Sequence, residues 1–381
     1  MQLRKSISKH WAALDPDAQR ATKGLLLDRV ANEPESNVRK NVASAVSAVA
    51  KKALPKEGWP ELLEFLVQLT QSASADHREV GLMVFERLAD MAGVHFKPWL
   101  DNLQQIFTGA LNDPELRVRV AGLRAACQLV QWVAEEKEIA SFRALIPPMA
   151  AVMGQCLEAG DEPNACGAFA VFIELVASPV PVLTPHLADL VSFALQIAAT
   201  PALTVGTREA ALELVTSVAE SKTKFFKSQG MAPAVVACIF GMICEPEEKD
   251  EADEDANTPS SIGLMALDQI SIKLPSKIMF TPIMSTAAAM SNSPNPWHRR
   301  AALMGVGVAA EGCADAVREQ LDELVQFIAH AASDADPRVR DAACFAIREF
   351  SEFLQPDICS HHATLLPAVF KCLDDAGEEV K

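Results

Sequence analysis

Four groups of residues in this chain have types and spacings that could do chemistry. Gly305–Val306–Gly307–Val308–Ala309–Ala310 matches a Gly-x-Gly-x-x-Ala pattern, whose small residues would let a backbone approach a dinucleotide pyrophosphate. That chemistry needs a strand before the pattern and a helix opening at it. Here the pattern lies inside a helical apolar run, so close helix packing is the expected use. Cys359, His361 and His362 cluster near a helix start, with Cys372 further on. A structural zinc site wants two well-spaced ligand pairs, so no metal site is assigned. His77 and His298 each stand beside an arginine and are expected to be exposed. Glu245–Asp255 holds eight acids and one lysine in eleven residues. Such a segment repels itself, has no apolar anchor and attracts basic polypeptide. No Gly-x-Ser-x-Gly, phosphate loop or kinase set occurs, so neither an enzyme nor a cofactor is expected.

The elements that position these residues follow from a repeated stretch. Asn112–Asp113–Pro114–Glu115–Leu116–Arg117–Val118–Arg119 has variants at 32–39 and 333–340, each with an acid, five residues and an arginine. Looser copies keep the arginine and the small residues after it, giving a ladder at Arg39, Arg78, Arg119, Arg208, Arg299 and Arg340. A period near 40 residues with two helices per unit is the HEAT/armadillo signature. The acid, or a polar residue just after it, can cap a helix. A nearby proline suits the first helical turn. The arginine, two turns in, is expected to reach back to that acid, and the ladder is expected to be structural.

Composition agrees with helix-on-helix packing. Half of the 381 residues are hydrophobic, aromatics are 6 % and tyrosine is absent. The net charge of −16 is unevenly spread: residues 1–60 carry eleven Lys/Arg against six acids, a net of +5 that leaves −21 for the remainder. An acidic body argues against general nucleic-acid binding, which needs a broad positive footprint, and suits basic protein partners. The nine cysteines show no regular pairing and are expected to be reduced thiols. No apolar run is long enough to span a bilayer.

Period-3.6 patterns predict helices at 3–13, 15–31, 35–54, 59–71, 76–92, 96–111, 114–135, 139–157, 164–177, 184–199, 207–221, 225–244, 260–274, 277–290, 296–312, 314–332, 337–354 and 358–373. Pro147–Pro148 should kink or break the helix at 139–157. The expected fold is all-α: a single HEAT-repeat right-handed superhelical solenoid over 1–381, of about nine repeats, incomplete at both ends. An acidic loop at 245–257 is inserted within one repeat.

The chain resembles the importin-β (karyopherin-β) nuclear transport receptors. The residues that carry the resemblance are Arg4–Lys5–Ser6–Ile7–Ser8–Lys9–His10–Trp11, Lys56–Glu57–Gly58–Trp59–Pro60–Glu61–Leu62–Leu63 and Arg78–Glu79–Val80–Gly81–Leu82. Val180–Pro181–Val182–Leu183–Thr184–Pro185–His186–Leu187, the acidic insertion and Phe350–Ser351–Glu352–Phe353–Leu354–Gln355–Pro356 complete them. No single motif is specific; their order and spacing are. The resemblance implies an import receptor that binds the GTPase Ran in its GTP form, basic cargo of the histone or ribosomal-protein type, and phenylalanine–glycine nucleoporins through roughly residues 139–244. It implies shuttling between cytoplasm and nucleus as a monomer, with no nucleic acid or membrane partner. It assigns Arg4, Lys5, Lys9, Lys40 and Asn41 to the Ran-facing surface. It makes Glu247, Glu248, Asp250, Glu251, Asp253, Glu254 and Asp255 an acidic loop for Ran or cargo. Another HEAT scaffold, such as a phosphatase regulatory subunit or a tubulin-binding array, is the alternative. The first should have near-uniform repeats and the second basic loops, and both features run the wrong way here.

Overall fold

A computed structural model describes residues 10–55, 58–89, 99–131, 133, 135–246 and 257–373. Every element among them is an α-helix or a short 3-10 helix. The chain divides into two compact units, Met1–Leu187 and Ala188–Lys381.

In the first unit, α1 (Pro16–Asn32) pairs with α2 (Ser36–Ala53), α3 (Pro60–Thr70) with α4 (Ala75–Leu88), and α5 (Leu100–Leu111) with α6 (Leu116–Val130). A short α7 (Glu136–Arg143) precedes the pair α8 (Ile146–Glu158) and α9 (Glu162–Ala177). The second helices α2, α4, α6 and α9 stack on one another, and so do the first helices α1, α3, α5 and α8. The unit is therefore two helical layers with its apolar core between them.

The second unit repeats the scheme. It opens with α10 (Leu187–Ala198), α11 (Val205–Ser221) and α12 (Thr223–Gln229). Then α13 (Ala232–Ile243) pairs with α14 (Pro259–Lys273), and α15 (Ser276–Ser291) with α16 (Pro296–Gly312). After α17 (Ala314–Glu319), α18 (Leu321–Ala331) pairs with α19 (Pro337–Phe353), and α20 (His362–Leu373) packs on α18. Here the stacked second helices are α11, α14, α16 and α19.

The local chemistry explains where helices start. Asp15, Asp161, Asn295 and Asp336 cap α1, α9, α16 and α19 with side-chain oxygens that accept from first-turn amides. Thr258 and Ser261 form a reciprocal capping box on α14. Prolines occupy the first helical position of α1, α3, α14, α16 and α19, where no amide donor is needed. Small residues on the second helices set the packing distance. A Cβ on Gly122 would lie 2.8 Å from the Cβ of Ala110, and one on Gly81 3.1 Å from that of Leu69, so α6 and α4 sit close against their own first helices.

The expected elements hold with three corrections. The span 114–135 ends at Val130, and 139–157 is two helices: of the kink or break expected from Pro147–Pro148 it is the break that occurs, with the prolines in the first turn of α8. The span 225–244 is likewise two helices, bent by 96° where Gly230 takes φ +60°. Residues 314–332 divide at Gln320. Of the helix expected at 3–13, only the 3-10 turn Trp11–Ala13 lies within the described residues. No single described helix is long and apolar enough to cross a membrane.

Candidate functional site

The residues with chemistry to offer lie on the second helices, and the ladder arginines fix how those helices start. Apart from Arg208, whose Nε takes the Ala198 carbonyl ten residues back, the guanidinium groups reach back six residues to a backbone carbonyl: Arg78 to Ser72 at 3.0 Å, Arg119 to Asp113 at 2.5 Å, Arg299 to Ser293 at 2.8 Å and Arg340 to Asp334 at 2.9 Å. Arg39 does the same to Glu33. The carboxylate partner is not the acid of the same repeat, as expected, but that of the next. Arg78 binds Asp113 through Nε at 2.6 Å and Nη2 at 2.9 Å, and Arg299 binds Asp334 at 2.9 and 2.8 Å. The acid's own arginine takes its carbonyl, which leaves the carboxylate free for the preceding repeat. These bidentate pairs are half-buried or better, and geometry of this kind makes strong charge-assisted hydrogen bonds. Burial alone would raise the Asp113 carboxyl, but the Arg78 bonds and the Glu115 amide outweigh it and hold it below the usual range. The hydrogen bond from Arg299 holds Asp334 low in the same way. The ladder is thus structural.

In the first unit the next residues along carry a mixed-charge network across α2, α4 and α6. Lys40 Nζ lies 2.5 Å from Glu79 Oε1, Arg117 lies 2.5 Å from Asp76 and 3.4 Å from Glu79, and Arg39 lies 2.9 Å from Asp76. Hydrogen bonds from Arg39 and Arg117 lower Asp76. Lys40 is half-buried and already paired, while its neighbour Asn41 is exposed. A partner that used Lys40 would have to share it with Glu79. Arg4, Lys5 and Lys9 lie outside the described residues.

The second unit brings four carboxylates together on its second helices. Asp268 on α14, Glu311 on α16, and Glu349 and Glu352 on α19 face one another across three stacked helices. Partial burial and then the Glu349 carboxylate push Asp268 upward. Burial, then Asp268, Glu352 and Glu349, push Glu311 upward. Arg348, 2.7 Å from Glu349, is the one cation paired with this group among the described residues. The sequence reading missed these carboxylates. A signal was there: Glu220, Glu311 and Glu352 each follow a ladder arginine by twelve residues, a register that holds Lys51, Asp90 and Gln131 after the first three arginines.

The acidic insertion is framed by contacts to α11. Glu245 accepts two bonds from Arg208, at 2.8 and 2.5 Å, and Asn257 donates to Glu209 at 3.3 and 3.4 Å. The seven acids Glu247–Asp255 lie outside the described residues.

The remaining candidates have other employment. A Cβ on Gly305 would lie 2.3 Å from the Phe240 ring and one on Gly307 3.0 Å from Phe345, so the Gly-x-Gly pattern serves close helix approach. His361 Nε2 lies 3.6 Å from Asp322, His362 Nδ1 sits 3.0 Å from the Cys359 carbonyl oxygen, and Cys372 is buried. No group of three metal-ligating side chains occurs among the described residues. His77 and His298 are half-buried, not exposed, and their Nδ1 atoms lie 3.1 and 3.2 Å from Ser72 and Ser293. All nine cysteines are free, and burial pushes Cys238, Cys244 and Cys313 up to about 11.

Paired helices in two layers, tied by an arginine–aspartate ladder, define a HEAT-repeat solenoid protein. A family model described as IPO5-like, TPR repeats matches residues 34–193, and a HEAT-like repeat model matches 296–350. The probable importin subunit beta-4 of Schizosaccharomyces pombe is 29 % identical over 381 residues, which cover 100 % of this chain and 35 % of the relative. Human Importin-4 is 26 % identical over 388 residues, covering 97 % and 35 %. The chain therefore spans about a third of the length of these curated relatives. Kap121p bound to Pho4p superposes with a TM-score of 0.90 at 22 % identity, over 100 % of this chain and 38 % of that one. Kap121p bound to RanGTP superposes at 0.85 and 22 %, over 99 % and 37 %. The relatives it matches are named importin-4 and importin beta-4.

Proposed function

We propose that the chain is the part of a nuclear import receptor that engages Ran-GTP and basic protein cargo, as one HEAT solenoid of about nine repeats. One observation carries the reading: Asp268, Glu311, Glu349 and Glu352 form a self-repelling acidic face on successive second helices, with a single cation paired to it among the described residues. A cationic polypeptide laid on such a face relieves that repulsion and is steered to it over a Debye length. Cargo of the histone or ribosomal-protein type has this chemistry. The mixed-charge layer of the first unit supports a different partner there. Ran in its GTP form is assigned to the surface of Arg4, Lys5, Lys9, Lys40 and Asn41, and the Glu247–Asp255 acids to Ran or cargo. Kap121p has been solved with RanGTP and with Pho4p, Ste12p and Nup53p, which supports both partner classes. Phenylalanine–glycine nucleoporins are assigned to residues 139–244, and the protein shuttles between cytoplasm and nucleus. Cargo release follows from reciprocal negative coupling, in which each ligand lowers the affinity for the other.

The test is fluorescence anisotropy with a labelled lysine-rich peptide. The wild-type chain is expected to bind it, more weakly as salt rises, and Ran loaded with a non-hydrolysable GTP analogue is expected to displace it. Asp268→Lys with Glu311→Lys should weaken binding about tenfold or more. Equal affinity in that variant, or no binding by the wild type, would overturn the assignment.

A further inference from the structure

Beside the acidic face lies a groove between α11 and α14 that differs from it in kind. Its volume is about 250 Å³. Leu212, Ile262 and Ala266 are buried and form the floor, and Met265 lies along it half-exposed, at 51 %. Glu209 and Glu213 stand one turn apart on α11, hence on one helix face, and form the wall. Glu213 has no ion pair or hydrogen bond among the described residues. Glu209 receives only the neutral amide of Asn257, at 3.3 and 3.4 Å.

We propose that this groove is a lysine subsite: it takes one lysine side chain of a basic partner lengthwise, methylene stem along Met265 and Ile262, ammonium against Glu213 and Glu209. The proposal rests on the reading of the second unit as a surface for basic proteins, and adds how one side chain is selected. A lysine is an apolar stem ending in a compact charge with three donors. That matches a groove with an apolar floor, lined further along by Thr216 and Gln269 and walled by two carboxylates. The acidic face of Asp268, Glu311 and Glu352 acts through its carboxylates and is satisfied by any cation. An acetylated lysine fits the trough but brings a neutral amide to Glu213, which then loses solvent without gaining a counter-charge, a costly exchange. The subsite therefore rejects acetylation at one position of the partner, whereas the acidic face responds only to total charge.

The experiment walks a single acetyl-lysine along a labelled lysine-rich peptide and measures affinity for the whole chain by anisotropy. For the wild type, one position is expected to cost about fivefold more than the others. Glu213→Gln and, separately, Met265→Ser should weaken the unmodified peptide and erase that positional peak. Asp268→Gln should weaken every peptide alike and keep it. Circular dichroism melts of each variant establish that it is folded, and a variant that is not is replaced by Glu209→Gln, which sits on the same wall. A flat acetylation profile in the wild type, or a peak that survives Glu213→Gln and Met265→Ser, overturns the subsite while leaving the basic-partner reading intact. If no lysine-rich peptide binds, that reading fails and the subsite falls with it.

Discussion

Arg208 is 2 % exposed and directs Nε to the Ala198 carbonyl at 2.7 Å and both terminal nitrogens to Glu245. Its removal would leave a carbonyl and a largely covered carboxylate without their donor at the start of α11, and breaking a buried pair from one side costs about 3 kcal/mol or more. Arg208→Ala is therefore expected to lower the urea midpoint of the chain clearly, by that order. Arg20→Ala, which removes an exposed i,i+3 contact to Asp17, should move it by under about 0.5 kcal/mol. Equal shifts would show that the ladder adds nothing beyond surface pairing. The positions of the ladder could be read from spacing, since an arginine near every fortieth residue is a one-dimensional signal. Its partners could not. The local acid lies within reach of Arg119 or Arg340, yet only its carbonyl is used, and the carboxylate of Asp113 or Asp334 turns to a guanidinium 35 residues earlier. That choice is made by stacking between repeats, which no window of sequence contains. The acidic face was missed for the same reason: Asp268, Glu311 and Glu352 are isolated in sequence and meet only when second helices stack.

Helix boundaries at this scale are set by caps and breakers, and most were legible. Pro296–Gly312 opens on Asn295 as the capping pattern requires. Errors arose where one apolar stripe runs through two helices. From 225 to 244 the period continues unbroken, but Gly230 at φ +60° ends α12, with its amide bonded to Lys227, and Pro233 lies in the first turn of α13. The 96° bend lets Phe226 and Val235 both reach the core, each fully buried. Only glycine holds a left-handed conformation without strain. Gly230→Ala, where space for a methyl is open, is thus expected to cost about 1 kcal/mol, read as a lower melting temperature. Gly206→Ala is the control: a methyl also meets nothing there and φ is helical, so it should be neutral or slightly stabilising. A Gly230→Ala protein as stable as the parent would mean the bend is held by proline and packing alone.

Across the whole molecule, the position twelve residues past each ladder arginine holds lysine at 51, aspartate at 90, glutamine at 131 and glutamate at 220, 311 and 352. Acid acts on the carboxylates of the chain in two opposite senses. Asp76, Asp113, Asp334 and Asp336 have folded values below the ordinary 3.8. Each contributes stability that is complete above its unfolded value and is lost as pH falls through the folded one. Asp268 and Glu311 have folded values above 3.8 and 4.5. In the window between unfolded and folded values the native state binds more protons, so their penalty at neutral pH is relieved as pH falls. Glu86, raised mainly by burial against α6, adds to this on the first unit. Acidification from neutrality to about pH 5 should first stabilise the chain slightly, and below about pH 4 the ladder carboxylates should protonate and stability collapse. Thermal melts between those limits test the sign. Asp268→Asn with Glu311→Gln should flatten the first limb and leave the second, because it removes the groups whose repulsion acid relieves while the arginine pairs stay. A monotonic fall from neutral pH in the parent, or an unchanged first limb in the variant, would show that the acidic face is already screened, and with it the electrostatic argument for a basic partner would lose its support.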